Sequence, residues 1–348
     1  MKPKKQRRSR VIWSLVSVLL AGATVWTVVS MNQSFRFADF AAALKSADPG
    51  YLLCAVASAF GFLFFEAAAL TLCCRMLGAA CSLRKSVVYS AADLYFSAIT
   101  PSASGGQPAS AYLMLGDGIS VPVAAAALLA NLVMYALSLL GIGLAILIAF
   151  PGMFLSFSPA ARVLIVAGSA IQLVLAAAFW LLLKRPGLLH RICAGALCLL
   201  ARLHLVRRPD ERLARLDGLI AEYRQSVAVL RGRQHLLPWV FVLNLLQRVA
   251  FISVTFFSAL AMGAPLPQAG RLWVAQAYAT VGSNCIPIPG AMGVSDYLMI
   301  SGFQTVLPEV EALQLELLSR SLSFYFIVIL CGTLTLISYL LRKRREKT

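Results

Sequence analysis

The sequence predicts an all-α integral membrane protein with six full spans and two re-entrant helical hairpins in an inverted repeat. Three observations carry that expectation. The 348 residues are 60% hydrophobic and 13% charged, with mean hydropathy +0.80, whereas soluble domains average roughly 45–50% apolar and about 25% charged. Apolar runs of roughly 18 residues or more, enough to cross a hydrocarbon core about 30 Å thick, recur along the chain. Two further apolar stretches are broken in mid-course by Pro and Gly. The composition excludes an ordinary soluble enzyme, a disordered chain and a disulfide-framework secreted domain.

The elements follow in chain order. Residues 1–10 form a basic tail, and 11–31 the first span; no A-x-A site follows it, so it is not read as a cleaved signal. The second span is 51–74. The first hairpin is 86–115, where TPSASGGQP at 100–108 leaves two arms of roughly 12–15 residues, too short to cross. The third span is 121–150, with Ser120 as N-cap and Pro122 in the first turn, and the fourth is 162–183. Residues 184–235 are the one long polar segment. From Leu213 its apolar residues (Leu213, Leu216, Ile220, Tyr223, Val227, Leu230) fall at steps of three and four, which is an amphipathic helix. An earlier helix is expected near 188–205. Both should lie on the membrane interface, Arg toward anionic lipid, because the aromatic interleaving of a nucleic-acid surface is missing. The fifth span is 236–262. The second hairpin is 271–303, broken by PIPGAMG at 287–293, and the sixth span is 317–341.

Charge orients this layout. Net charge is +17, and 25 of the 31 Lys and Arg residues fall in 1–10, 75–85, 184–235 and the C-terminal tail. Six spans and two hairpins place those segments on one face, which the positive-inside rule makes cytoplasmic, with both termini there. Glu309, Glu311 and Glu316 fall on the other face. The order span, hairpin, span then occurs twice, in 51–150 and 236–341, with opposite orientations. Interrupted segments at matching places in two such halves mark a substrate site near the midplane.

Ionisable residues inside spans default to functional candidates because they are costly in hydrocarbon. They are Glu66, Asp93, Arg248 (with Asn244 and Gln247 nearby), Asp296 and Arg320. Glu66 could instead pair with Arg248, and Asp296 with Arg320, holding spans together. Asn131 reads as a helix–helix hydrogen bond. The turns add Thr100, Pro101, Ser102, Gly105, Gly106 and Gln107 at one hairpin, and Asn284, Pro287, Pro289, Gly290 and Gly293 at the other. Arms that begin after such turns aim helix N-termini at the midplane, which suits a phosphate or carboxylate.

Eight cysteines show no CxxC pairing, and His190, His204 and His235 have no partner at i+4, so neither metal nor cofactor is expected. Walker A, HExxH and GxSxG signatures are absent. Any transport must therefore run downhill or couple to an ion; Glu66, Asp93 and Asp296 are the carboxylates expected to be available to a proton.

The run ITPSASGGQPASAYLM at 99–114, with GIS at 118–120, closely resembles the first signature of the lysylphosphatidylglycerol synthase/flippase transmembrane family. PIPGAMGVSD at 287–296 is similar to its second signature, with Ala291 where a second Gly is common and Asp296 where Glu is common. The resemblance covers essentially the whole chain. It implies the membrane-embedded half of the multiple peptide resistance factor proteins, which move lysyl-phosphatidylglycerol between leaflets of the bacterial cytoplasmic membrane and oppose cationic antibiotics. Full-length members carry a soluble domain that transfers lysine from lysyl-tRNA to phosphatidylglycerol. The chain stops at 342–348 with no room for it, so lipid movement is expected rather than enzymatic lysyl transfer. The expected partners are a membrane phospholipid, a second copy of the chain or a separate lipid-modifying enzyme, and no nucleic acid. An embedded transferase, a small-solute or ion carrier and a scaffold for an envelope enzyme are the alternatives.

The charge split generates a topology test. On a cysteine-free background, single cysteines at Ser46 and Gln314 should react with an impermeant thiol reagent added outside, and one at Gln225 should not. Outside labelling at 225 overturns the layout.

Overall fold

Proline sets where most of the helices begin. A Pro in the first turn lacks only an N–H that a helix leaves unpaired there anyway, and eight of the thirteen described helices have one at that place. The computed structural model describes residues 45, 47–100, 104–202, 209–284, 291 and 293–345. The chain divides into two units, 1–47 and 48–348, and helices α1 to α13 all belong to the second. The expected tail at 1–10 and span at 11–31 lie outside the described residues.

The helices are α1 Pro49–Met76, α2 Leu83–Ile99, α3 Gly106–Gly116, α4 Val121–Ala149, α5 Pro151–Ser156, α6 Pro159–Lys184, α7 Pro186–Arg202, α8 Pro209–Gly232, α9 Leu237–Ala261, α10 Leu266–Ser283, α11 Val294–Phe303, α12 Glu309–Arg320 and α13 Phe326–Arg345. No strand occurs among the described residues. Side chains cap several starts: Asp48 accepts from the Gly50 and Tyr51 amides, and Ser158 from that of Ala161. Among the described residues five segments are long and apolar enough to cross a membrane: α1, α4, α6, the segment Gln234–Ala261, and Glu309–Arg342. The last joins α12 to α13 through a π-helical turn, Ser321–Tyr325.

Both hairpins are present, but their arms are unequal. The first arms, α2 and α10, have 17 and 18 residues; the return arms, α3 and α11, have 11 and 10. At 1.5 Å per residue a return arm covers roughly 15 Å, about half the core. Each hairpin closes on its own starting end. Lys85 at the start of α2 lies 4.0 Å from Asp117, just past α3. Gln268 at the start of α10 donates to the Val306 carbonyl past α11. The two starting ends are opposite ends of the bundle, because α10 follows the end of α9, where the Asp48 amide at the head of α1 donates to the Ala261 carbonyl.

At the first of these ends, arginines take up open helix carbonyls. Arg233 donates to the Arg75 and Met76 carbonyls at the end of α1, Arg231 to that of Lys184 at the end of α6, and Arg342 to that of Leu113. Cations at helix C-termini also meet the negative end of the dipole. The amphipathic stripe of α8 is more than an interfacial face: Ile220, Tyr223, Val227 and Leu230 are buried, and α8 packs on α4 and α7.

The most extensive helix pair is α1 with α9. α2 packs on α1 and α13, and α10 packs on α9 and α4. α6 approaches α10 closely because Gly168 has no side chain: a Cβ there would lie 2.2 Å from the Gly282 carbonyl oxygen. Gly168→Ala should therefore push α6 off α10 and cost about 1–3 kcal/mol. Gly187, whose added Cβ would meet nothing within 4 Å, is the control. A matching unfolding midpoint for both alanine variants in detergent overturns the close-packing account.

Candidate functional site

The centre of the apolar bundle holds a connected set of polar side chains. Glu66 on α1 is 8% exposed. Its carboxylate accepts from the Asn131 amide of α4 at 3.0 Å and from the Gln247 amide of α9 at 2.6 Å. Gln247 in turn accepts from Arg248 Nε at 2.8 Å. Glu66 and Arg248, for which a direct pair is the alternative to a substrate role, are thus bridged by one glutamine amide. Asn131 does join helices, since it also accepts from Asn244 at 3.0 Å. The Arg248 guanidinium lies over the Tyr135 ring, 4.6 Å from its centre, with Phe62 and Phe251 also near. An aromatic face is the cheapest apolar neighbour for a buried cation.

The second hairpin reaches this set. Asn284, at the end of α10, accepts from the Tyr135 hydroxyl and donates to Gln172 Oε1 at 2.9 Å. Tyr135 and Gln172 sit midway along α4 and α6, so the end of α10 lies at the mid-length of its neighbours. At the other side of the turn Gly293 has φ +79°, and its amide is capped by Asp296 at 2.9 Å. Asp296 also pairs with Arg320, 2.9 Å between Oδ1 and Nε, and Arg320 Nη1 donates to Ser295. The pairing of Asp296 with Arg320, the alternative to a substrate role for the two, is present.

The first hairpin has its own set. Asp93 on α2 accepts from Ser97 at 3.1 Å and from Gln107 of α3 at 2.7 Å. Gly106 makes room for this: a Cβ there would stand 2.0 Å from the Asp93 carboxylate. Thr100 donates to the Phe96 carbonyl and accepts from the Gly105 amide, closing the turn. Gly105 has an ordinary φ of −82°. It is needed for space rather than backbone freedom, because an added Cβ would lie 2.7 Å from the Thr100 methyl. Of the expected turn residues, Pro101, Ser102, Pro287, Pro289 and Gly290 lie outside the described residues.

Two features went unread in the sequence. Glu316, assigned to an outer acidic run, is 7% exposed beside Asp296 and Arg320. Tyr135 and Gln172 carried no signal, being lone polar residues in apolar runs. The amides of Gly105 and Gly293 are also already taken, by Thr100 and Asp296, so neither is open to an anion. The groove between α7 and α8, about 530 Å³ and lined by Leu197, Leu216, Leu219, Arg212 and Arg215, contains none of these residues. No group of three His, Cys, Asp or Glu able to hold a metal occurs among the described residues.

The glutamine bridge generates a stability test. Gln247→Leu keeps the volume but strips one hydrogen bond each from two buried charged groups, which should cost about 1–3 kcal/mol. A denaturation midpoint equal to wild type would show that the bridge carries nothing.

The family model described as "Lysylphosphatidylglycerol synthase TM region" matches residues 12–331. Searches of curated proteins and of solved structures found no match. With both broken hairpins and the polar centre inside the matched range, the chain belongs to the lysylphosphatidylglycerol synthase transmembrane-region family, as a multi-pass, all-helical membrane protein.

Proposed function

We propose that the chain is a phospholipid flippase that moves an aminoacylated lipid of the lysyl-phosphatidylglycerol type between leaflets. The observation that carries this reading is the polar centre of an otherwise apolar bundle, reached by a hairpin turn at Asn284 and flanked by a second hairpin entering from the opposite end. Such a centre can hold a headgroup with a phosphate and amines, since it presents both carboxylates and arginines. The acyl chains meanwhile stay in the surrounding lipid.

The reading includes an inverted repeat of 51–150 and 236–341. Its support is the exchange of partners: α2 packs between α1 of its own half and α13 of the other, and α10 between α9 and α4. Opposed hairpins at a repeat interface are what alternating access requires. The end rich in arginine caps (Arg231, Arg233, Arg342) is the cytoplasmic one on this reading, in the inner membrane of a bacterium. A separate lipid-modifying enzyme would supply the aminoacylated lipid.

Reconstituted protein should speed the exchange of a headgroup-labelled phospholipid between leaflets, followed with an outer-side quencher. Gly293→Ala forces a side chain to φ +79°, a strain of about 1–3 kcal/mol, and should slow exchange roughly tenfold at unchanged folded yield. Exchange no faster than in empty vesicles, across anionic and aminoacylated lipids, sinks the flippase reading.

A further inference from the structure

The amphipathic stripe of α8 is covered along only part of its length. Ile220, Tyr223, Val227 and Leu230 are buried, whereas Leu216 and Leu219, earlier in the same stripe, stay half-exposed. Those two leucines line the groove of about 530 Å³ together with Cys193 and Leu197 of α7, and Arg212 and Arg215 complete its wall. On α8 the lining residues Arg212, Arg215, Leu216 and Leu219 follow the i, i+3, i+4, i+7 spacing of one helix face. The groove is held in shape from both sides. α7 packs on α8, and His190 Nε2 of α7 lies 2.8 Å from Asp217 Oδ1 of α8, clasping the two helices.

Charge and depth say what such a groove takes. Its wall carries two cations and, among the described residues, no carboxylate. Neither Arg212 nor Arg215 forms an ion pair with a described residue, and the nearby Asp217 is engaged by His190. A guanidinium without a partner suits a phosphate. The depth is set by the end of α6. Lys184 lies over the ring of exposed Trp180, 4.6 Å from its centre, a pairing that belongs at headgroup level. α7 starts two residues later, at Pro186. Ile192 and Leu199 of α7 are exposed as well, apolar surface that acyl chains cover and water does not.

We propose that the groove between α7 and α8 is a binding site for one anionic phospholipid, drawn from the leaflet at the arginine-rich end of the bundle. Its phosphate sits on Arg212 and Arg215, and an acyl chain runs along Leu197, Leu216 and Leu219. The volume lies within the roughly 300–1,000 Å³ of small-molecule sites, room for part of a lipid and not for a folded partner. A soluble anion would meet the two cations and leave the leucines wet. A zwitterionic lipid would cover the leucines but bring its own cation to the arginines. An anionic lipid answers both halves of the wall. The groove contains none of the polar-centre residues, so the site stands independently of the flippase reading.

Native mass spectrometry of the full chain in detergent, titrated with phosphatidylglycerol or with phosphatidylcholine of the same acyl chains, tests the site. One adduct per chain should form with the anionic lipid, several-fold tighter than with the zwitterionic one. Arg212→Gln combined with Arg215→Gln should weaken that adduct roughly thirtyfold, the effect of two basic side chains at a membrane surface. Leu216→Gln keeps both arginines and should weaken it several-fold; it serves if the double variant does not fold. Arg224→Gln, exposed on α8 but outside the groove, should leave it unchanged. Equal affinity for the two lipids overturns the site, as does an adduct indifferent to the double variant. Equal weakening by Arg224→Gln reduces the effect to surface charge and overturns it too. So does displacement of the lipid by glycerol phosphate at equal concentration, which would make the groove a site for soluble anions. A dimer that dissociates in the double variant while the adduct persists would assign the groove to a second copy of the chain and overturn the lipid.

Discussion

The amide of Gln247 ties the middle of the molecule together: it gives an N–H to Glu66 and takes one from Arg248. Without it α1 and α9 would meet across a buried carboxylate and a buried guanidinium that do not touch each other. Asn131 and Asn244 extend the same chain of bonds to α4, and Asn284 extends the polar centre to α6 and to the second turn. Hydrocarbon offers no alternative partner, so these bonds can come only from other residues, and the Asn244 Oδ1 is left without one among the described residues. That requirement fixes how four long helices face one another, and it leaves the polar residues pointing inward.

The two hairpins obey the same rule in different ways. A break at mid-depth frees backbone groups that a continuous helix would have paired. In the first hairpin Thr100 takes up the Gly105 amide and Gln107 ties the return arm to Asp93. In the second, Asp296 takes up the Gly293 amide and at the same time reaches Arg320 on α12. The first turn is thus closed within its own hairpin, while the second is tied through one carboxylate to a helix outside it.

The arginines at one end of the bundle serve geometry. Helix C-termini leave carbonyls unpaired, and Arg231, Arg233 and Arg342 fill that role for α6, α1 and α3. A charge excess that reads in the sequence as a topology signal is thus also what closes the helix ends.

Hydropathy and breakers alone determined the helical class, the long apolar segments and the position of both hairpins. Those features follow from local composition: length of apolar run for a span, Pro and Gly for a break. The Asp296–Arg320 pair was legible too, because two charges in apolar surroundings have few places to go. Tertiary structure decided the rest. Glu66 and Arg248 read as a pair, but side-chain reach across α1 and α9 placed Gln247 between them. Glu316 read as an outer charge, since its sequence neighbours Glu309 and Glu311 are exposed; the helix turns it inward, one turn from Arg320, where α11 covers it. Tyr135 and Gln172 gave no sign at all. A polar residue becomes part of a site through the neighbour that another helix brings to it, and which helices become neighbours is decided by close contacts such as Gly168 on Gly282, which no local run of residues records.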